Sequence, residues 1–580
     1  MYVSRACDVC KRRKVKCDGV EPCANCNTSK LACSYNIVPR RRGRAVNKRP
    51  LDPKEEELDD RKSRVKTSLS PSSTRIRPLI ATTSPSQAES PASVAHNGIP
   101  FPVIYGAYSP ELDAINICTS LVDFFDSLHS GQDIRDVAHL CIDLWMAFLY
   151  PVIPFGHEPT LRMGISVFNR KTWPSALGPA SALRRDSPQL TFMKHFSLIT
   201  AVCAYVCSTA PDSLLPLKGI LAGPFLQASR AMLSSYEVYD LEQPDSTSLV
   251  IRTWHASAMQ NTSGKHGAAA QTHMGAELLA LRLRLYDEPS VAKYDAHEAQ
   301  QLRAVFWLLH HSDKASVAFS SRIYILHEPC FDGPITVQEF GDLTQTPLLD
   351  VTRKFNDPPL DEHIHAAFHK KRQMWMTAAD LIKAVRFYPV TQTTSSQSYS
   401  SPSTVERPAN ETISQSELDR LSSMYLKFTG FMEVNPPWMS LPQGHGKFDS
   451  ETAQYRERTS WAMRSNVTTS FHCLKLIILQ ECSSRGLHSI MGLGDSKTML
   501  AVRKMDIAQE FLYELQVVPF ECFKMQGEPG VQRIRQVGSR MLEVVQNAGN
   551  EVIEARAQSQ FRQLLDYLAK LDSKVTDELD

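Results

Sequence analysis

The chain has 580 residues, of which 42% are hydrophobic, 22% charged and 8% aromatic, with a formal net charge of +2. This ordinary globular composition excludes a wholly disordered chain, a collagen-like fibre and a small disulfide scaffold. The longest apolar run is too short to cross a bilayer and the cationic start has no apolar segment behind it, so we expect no membrane span, no secretory signal and reduced cysteines.

The net charge is distributed very unevenly along the chain. Residues 1–50 hold 13 basic and 3 acidic side chains, a balance of +10, which leaves −8 for the other 530 residues. A cationic head on a mildly acidic body suggests a polyanionic partner for the head, because basic clusters bind phosphate backbones through counterion release. The charge alone fits a localisation segment equally well.

Six of the 14 cysteines lie in the first 33 residues, with the spacing C-x2-C-x6-C repeated after five residues. They are Cys7, Cys10, Cys17, Cys23, Cys26 and Cys33. A C-x2-C pair lets two thiolates converge on one zinc ion, and a tetrahedral zinc takes four ligands. Six thiolates therefore serve two zinc ions only if two are shared. So short a segment has almost no apolar core. Metal binding must therefore supply most of its folding free energy, about 10 kcal/mol or more per zinc.

Residues 5–35 resemble the binuclear zinc cluster of fungal Zn(2)-Cys(6) transcription factors at all six cysteines. The resemblance implies two zinc ions as cofactors and a DNA-binding domain over residues 1–38. It further implies that Cys7 and Cys23 bridge the metals. Cys10 and Cys17 would complete one site, and the remaining two cysteines the other.

The segment KRRKVK between the second and third cysteines carries five basic residues. The resemblance implies that it forms a helix that enters the major groove and reads a CGG triplet, with Lys14 as the main base contact and Arg13 beside it. An ammonium suits this task because guanine presents two acceptors, O6 and N7, in the major groove. Lys11, Arg12 and Lys16 are predicted to contact phosphates, which fix the register.

A second basic run follows the last cysteine. Its members are Arg40, Arg41, Arg42, Arg44, Lys48 and Arg49. It fits both a nuclear localisation signal and an arm along the DNA backbone. Residues 39–108 are predicted to form a flexible linker, because the part after this run is rich in Ser, Pro and Thr. Leu51, Leu58 and Val65 are spaced seven residues apart, as in a coiled-coil heptad, but the d-like positions between them are polar. A monomer and a homodimer therefore both stay open.

A large, mostly α-helical body is predicted to follow the linker. Ser109-Pro110-Glu111 is a helix-start signal, and long segments with helical periodicity come after it. The predicted helices cover residues 112–128, 137–150, 192–207, 219–236, 276–286 and 300–321. Three segments between residues 150 and 340 resemble the middle homology region of the same family, which we place at residues 109–388.

Two histidines and several aromatic residues of the body could suggest a metal or ligand site, but we predict that they are packing residues. His310 and His311 are adjacent on one predicted helix and point about 100° apart, so they do not easily share a metal. Trp307, Phe306 and Phe319 are predicted to be core residues. The later cysteines are predicted to be buried free thiols.

Residues 389–415 are predicted to form a flexible insert and residues 416–580 a helical C-terminal part. Its last helix carries a stripe of apolar residues ahead of an acidic tail. They are Phe561, Leu564, Leu565, Leu568 and Leu571. This pattern fits a helix docked on the body or an activation segment, and docking is favoured.

These features predict a nuclear, sequence-specific DNA-binding regulator of RNA polymerase II genes. Its expected partners are double-stranded DNA, the transcription machinery or coactivators, and a small-molecule effector; no membrane partner is expected. No phosphate loop, nucleophile elbow or H-E-x-x-H pattern is present, so we do not expect an enzyme. The chain resembles pathway-specific activators of fungal secondary-metabolite gene clusters. The alternatives are a regulator of carbon or nitrogen source use and a DNA-bound scaffold without activation activity.

Overall fold

The computed structural model describes two units of the chain, within residues 1–97 and 98–580. The described residues are 7–8, 10, 17–20, 22–28, 32–34, 110–128, 131–177, 187–320, 323–342, 346–350, 358–390, 413–433, 436, 439 and 451–571. Within these ranges the secondary structure is helical and contains no strand. The predicted linker at residues 39–108 lies outside them, as does most of the predicted insert at residues 389–415.

The first unit contains one short described helix, and the second is built from helices throughout. In chain order the α-helices are α1 (Ala24–Thr28), α2 (Pro110–Ser127), α3 (Ile134–Leu144), α4 (Glu158–Gly164), α5 (Trp173–Ala176), α6 (Pro188–Thr209), α7 (Lys218–Glu242), α8 (Ser246–Ser263), α9 (His266–Arg282), α10 (Glu288–Val291), α11 (Ala296–Phe319), α12 (Pro358–Arg386), α13 (Gln415–Thr429), α14 (Glu451–Ser483), α15 (Lys497–Val517), α16 (Phe520–Lys524), α17 (Glu528–Asn547) and α18 (Glu551–Ala569). A π-helical turn, Trp145–Leu149, continues α3, and short 3-10 turns join several of the others.

The mostly helical body is confirmed, but among the described helices between residues 109 and 388 the sequence prediction missed two long ones, α8 and α12, and started α9 too late. Helix α9 begins at His266, ten residues before the predicted start, because its first turns are rich in alanine and show little apolar contrast. Helix α8 was missed entirely. Most of its residues are buried whichever face they occupy, and its Val, Ile and Thr residues lower helix propensity, so the periodic signal is weak.

Helix α6 lies at the centre of the first half of the body, packed against α7 and α8. By length and composition it could cross a membrane, but 83% of its apolar window is buried inside the body. A buried hydrogen-bond chain links the three helices. The Ser229 hydroxyl donates to the Ser197 carbonyl oxygen at 2.6 Å, and the His255 ring lies 2.7 Å from the same hydroxyl. The Ser229 hydroxyl and the His255 ring are thus partnered inside an otherwise apolar core.

Two residues on α11 hold the segment at residues 323–342 against that helix. Trp307 Nε1 donates to the Gln338 carbonyl oxygen at 2.7 Å. The buried Asp313 carboxylate accepts backbone N–H groups of Ile325 and Leu326, both at 2.9 Å. The prediction that Phe306 and Trp307 belong to the core is confirmed, since they are 0% and 5% exposed. These contacts fix the segment against α11.

The C-terminal helices belong to the same apolar core as the rest of the body. Helix α12 packs on α14, α14 packs on α15 and α17, and α18 packs on α15 and α17. On α18, Leu564 is fully buried whereas its neighbour Leu565 is 46% exposed. The Tyr567 ring lies 5.7 Å from the ring of Phe523 on α16. The described part of the last apolar stripe is therefore docked on the body.

The cysteines of the body are free thiols, as predicted. Seven of the eight are buried, and Cys330 is exposed. The Sγ atoms of Cys141 and Cys207 lie 3.8 Å apart between α3 and α6, at the distance of a weak thiol hydrogen bond. Their burial identifies them as small core residues.

Candidate metal centre

The six cysteines of the first unit come together in one cluster. Cys7, Cys10, Cys23 and Cys26 are at most 1% exposed, and Cys17 is 9% exposed. The cluster divides into two groups of four, and within each group all sulfur atoms lie within 4.8 Å of one another. The first group is Cys7, Cys10, Cys17 and Cys23, and the second is Cys7, Cys23, Cys26 and Cys33. The two groups share Cys7 and Cys23.

The sulfur spacing fits tetrahedral zinc. A zinc–sulfur distance near 2.3 Å places the sulfurs of a tetrahedral site about 3.8 Å apart. The Sγ atom of Cys7 lies 3.7 Å from that of Cys23 and 3.6 Å from that of Cys26, and the Sγ atoms of Cys10 and Cys23 are 3.6 Å apart. The thiol donor set and its dimensions therefore suit two zinc ions held on a shared edge.

Backbone N–H groups donate to the sulfurs in a pattern that repeats between the halves. The N–H of Cys10 donates to Cys7 Sγ at 3.4 Å, and the N–H of Cys26 donates to Cys23 Sγ at 3.4 Å. The N–H groups of Cys7 and Cys23 donate in turn to the third sulfur of their own half, Cys17 at 3.5 Å and Cys33 at 3.4 Å. The sequence repeat of 16 residues is thus a structural repeat as well.

The same hydrogen bonds favour the thiolate form of two of the six sulfurs in the folded domain. The N–H of Cys10 lowers the pKa of Cys7 to about 6, and the N–H of Cys26 lowers the pKa of Cys23. Burial instead raises the pKa of Cys26 to about 12 and that of Cys10 above its usual range. The two shared sulfurs are therefore the readiest to act as thiolate ligands.

Two aspartates that the sequence analysis did not single out close the cluster. Asp18 follows Cys17 and accepts the N–H of Ala24, the first residue of α1, at 2.9 Å. Gly19 next to it has a φ of 78°, a left-handed conformation that favours glycine. Asp8 joins the two ends of the domain, because its N–H donates to the Ser34 carbonyl oxygen at 2.7 Å and its carboxylate accepts the Ser34 hydroxyl at 3.1 Å. An Asp-Gly pair between cysteines is the sequence signal for the first of these turns.

The predicted DNA contacts Lys11, Arg12, Arg13, Lys14 and Lys16 lie outside the described residues. The predicted localisation run also lies outside them. Its residues are Arg40, Arg41, Arg42, Arg44, Lys48 and Arg49. The two cysteines that bracket the KRRKVK segment are described, and both lie in the first group of four. The two cysteines that flank the basic segment in the sequence thus both belong to the sulfur cluster.

Across the part of the chain that the structure describes, no other set of three or more Cys, His, Asp or Glu side chains meets at metal-binding distance. His310 Nε2 lies 3.0 Å from the Glu328 carboxylate, and the His311 ring packs edge-on against Trp375. The adjacent histidines thus have different neighbours.

Comparisons with known proteins found matches to the amino-terminal cysteine segment. Residues 5–42 match the family model of the fungal Zn(2)-Cys(6) binuclear cluster domain. A transcriptional regulatory protein of Schizosaccharomyces pombe is 52% identical over 40 residues, which are 7% of this chain and 5% of that protein. The notoamide biosynthesis transcriptional activator of Aspergillus versicolor is 46% identical over 57 residues, 10% of this chain and 9% of the relative. The xylanolytic transcriptional activator of Emericella nidulans is 46% identical over 46 residues, 8% of this chain and 5% of the relative.

These matches concern the amino-terminal domain, and they span less than a tenth of the length of the curated relatives. No solved structure matches the chain. A Zn(2)-Cys(6) binuclear cluster domain binds two zinc ions, and the six clustered thiols provide the donor set for them.

Proposed function

Because residues 5–42 form a fungal Zn(2)-Cys(6) binuclear cluster domain, we propose that the protein is a nuclear, sequence-specific DNA-binding transcription regulator of RNA polymerase II genes. The observation that carries the proposal is the six-sulfur cluster, which contains the two cysteines that flank a segment with five basic residues in six. A short cationic element fixed at both ends by metal thiolates loses little conformational entropy when it meets DNA. The relatives named above are transcriptional regulators and activators, which supports the same function.

The proposed zinc ligands follow the two groups of sulfurs. Cys7 and Cys23 would be ligands common to both metals, because they alone belong to both groups. Cys10 and Cys17 complete the first site, and Cys26 and Cys33 complete the second. When bound, the zinc ions supply the folding free energy that so short a domain cannot obtain from an apolar core.

Zinc binding should release protons and strengthen as pH rises. An ordinary cysteine thiol has a pKa of about 8.5, so most of the six thiols are protonated at neutral pH in the metal-free domain. Zinc binds thiolates, so each of these protons must leave when metal enters. Calorimetric titration of the zinc-free protein in buffers of different ionisation enthalpy should show proton release, and affinity should fall as pH falls. Proton uptake, or a pH-independent affinity, would contradict the ligand set.

We place DNA recognition on the segment between the second and third cysteines. Lys14, with Arg13 beside it, reads a CGG triplet in the major groove, while Lys11, Arg12 and Lys16 bind phosphates. The later basic run serves nuclear import or follows the DNA backbone. The protein acts as a monomer or as a homodimer, and it recruits the transcription machinery or coactivators.

Lys14→Ala should weaken binding to a CGG-containing duplex by about 1–3 kcal/mol and leave binding to a scrambled duplex little changed, because a base contact carries the sequence preference. Fluorescence anisotropy with the zinc-loaded full chain measures both affinities. Arg12→Ala is the matched control within the same segment. Loss of one phosphate contact should weaken both duplexes alike and reduce the slope of log affinity against log salt by about one. If Lys14→Ala weakens binding to both duplexes equally, Lys14 is not a base contact.

Among target pathways, we favour activation of a fungal secondary-metabolite gene cluster. The biosynthesis activator of Aspergillus versicolor named above supports this choice, and the match covers 57 residues. Regulation of carbon or nitrogen source use is the alternative, which the xylanolytic activator supports over 46 residues. Mapping the sites bound in cells separates the two pathways. Fusing residues 109–580 to an unrelated DNA-binding domain separates an activator, which drives a reporter, from a scaffold, which does not.

A further inference from the structure

A cleft of about 210 Å³ lies in the first half of the body, where the start of α4 meets the first turns of α8 and α11. Its lining includes His157 before α4, Thr247 on α8 and Glu298 on α11. Trp254 and Leu161, which are both 1% exposed, add apolar surface to the lining. A cavity of about 150 Å³ can hold benzene, so this cleft has room for one aromatic ring with a short side chain.

The aromatic wall of the cleft is held in place by packing. The Trp254 ring stacks on Phe155 with 5.3 Å between the ring centroids, and it meets Trp145 edge-on at 5.0 Å. All three side chains are at most 1% exposed. A wall fixed in this way can contact a planar ring without first being ordered by the ligand.

Two carboxylates that line the cleft have acceptor positions to spare. Asp295 Oδ1 accepts the N–H groups of His297 and Glu298 at 3.1 and 3.0 Å, and its other oxygen accepts none from the described residues. Glu298 accepts the N–H and the hydroxyl of Ser246, both at 2.6 Å. An ionised carboxylate has about four acceptor positions, so both acids can accept further hydrogen bonds.

The same two carboxylates lack a positive partner. Neither Asp295 nor Glu298 forms an ion pair with a described residue, and the described lining contains no lysine or arginine. Asp245, the cap of α8, differs because it pairs with Lys194. Burial and then the charge of Asp245 raise the pKa of Glu298, as expected for a carboxylate beside uncompensated negative charge.

His157 does not supply the missing charge. Its ring lies 5.3 Å from the ring of His297, measured between centroids, and its Nδ1 lies 2.8 Å from the Thr160 hydroxyl. Burial and then the charge of His297 lower the pKa of His157, so this ring is neutral at pH 7. The cleft therefore combines excess negative charge with an apolar wall.

Hydrogen-bond donors of two lining residues are also open. Gln301 Oε1 accepts the N–H of Gly156 at 3.0 Å, which leaves Gln301 Nε2 buried with no partner among the described residues. Trp254 Nε1 is likewise buried and unpartnered within the described chain. A buried donor without a partner costs free energy, so a ligand that carries an oxygen acceptor beside its ring suits these residues.

We propose that this cleft binds a small aromatic amine in its protonated form. The ammonium group donates to the open acceptor positions of Asp295 and Glu298, and the ring packs against Trp254. The carboxylates select the charge of the ligand, and the volume of the cleft limits its size. This site on the body goes beyond the proposed DNA binding of the zinc domain.

Tyramine is the probe, added to the zinc-loaded full chain without DNA. Two comparison compounds keep its phenol ring and change only the charged end: tyrosol carries a neutral hydroxyl, and the corresponding phenylpropionate carries a carboxylate. Calorimetry gives the dissociation constants. We expect tyramine to bind about tenfold or more tightly than tyrosol, because a charge-assisted hydrogen bond is lost in tyrosol, and the carboxylate to bind least. If tyramine does not bind, or binds no more tightly than tyrosol, the proposal is overturned.

Glu298→Gln removes the negative charge but keeps an oxygen that can accept the N–H of Ser246, so the fold should persist. Tyramine binding should weaken about tenfold or more, while tyrosol binding should stay unchanged. Asp136→Asn is the matched control, because this exposed acid also lies in the first turn of a helix, α3, but does not line the cleft. It should keep both affinities. Unchanged tyramine affinity in Glu298→Gln, or an equal loss in Asp136→Asn, would contradict the proposal.

A second variant tests the place of binding without removing a charge. Thr247→Trp adds a large side chain at a half-exposed position of the lining and should abolish tyramine binding by filling the cleft. Circular dichroism and thermal unfolding show whether each variant is folded. Full tyramine affinity in folded Thr247→Trp would place the amine elsewhere and overturn the site. DNA binding is measured separately, so failure here is distinct from failure of the proposed function.

Discussion

Replacing Cys7 or Cys23 by serine should cost the protein both zinc ions and its specific DNA binding. Each of these sulfurs belongs to both groups of four, so its loss leaves neither group complete. A structural zinc contributes about 10 kcal/mol or more to folding, and the domain has no apolar core to compensate for that loss. The measurements are zinc per chain by elemental analysis and anisotropy with a CGG-containing duplex. We expect close to no bound zinc and no preference for the CGG duplex.

Substitutions at the remaining cysteines separate shared from unshared sulfurs. Cys17→Ser removes a ligand from the first group alone, and Cys33→Ser removes one from the second group alone. Each should weaken one zinc more than the other, so partial metal content is expected. Cys118→Ser is the matched control, because this thiol is fully buried in the body and far from the cluster in sequence. It should retain both metals. Equal metal loss for Cys7→Ser and Cys17→Ser would contradict the sharing of Cys7.

The zinc domain could be predicted from sequence because its structure depends on a few covalently spaced ligands. Tetrahedral coordination and the C-x2-C-x6-C repeat already require two shared thiolates in six. The spacing does not reveal the turns that close the domain. Asp8 and Ser34 meet across 26 residues of sequence, and that contact depends on the path of the whole chain.

The body was less predictable, since its helices are positioned by tertiary packing and carry uneven sequence signals. Helix α2 begins at Pro110 as the helix-start signal indicated. Helix α8 has apolar residues on nearly every face and so lacks the contrast that marks an amphipathic helix. The burial of Lys371 was missed for a related reason. Lys371 stands in a run of three basic residues that suggests a solvated face, and only the packing of α12 on α14 shows that it is buried.

Two neighbouring leucines of α18 distinguish docking of this helix on the body from a role in transcriptional activation. Leu564 is fully buried in the body, and Leu565 is 46% exposed. Leu564→Ala should lower the free energy of unfolding by about 2–5 kcal/mol, because it leaves a cavity under α18. Leu565→Ala should change it by no more than about 0.5 kcal/mol. Chemical denaturation of the full chain measures both values.

The same two variants, assayed in a reporter strain, distinguish the two roles of the apolar stripe. If the stripe serves docking, Leu564→Ala lowers protein level and reporter output together, while Leu565→Ala leaves both unchanged. If exposed apolar residues of α18 bind a coactivator, Leu565→Ala lowers reporter output at normal protein level and normal stability. The burial of Leu564 and the contact of Tyr567 with Phe523 favour the first result. A similar, small stability change in both variants would show that α18 does not hold the body together.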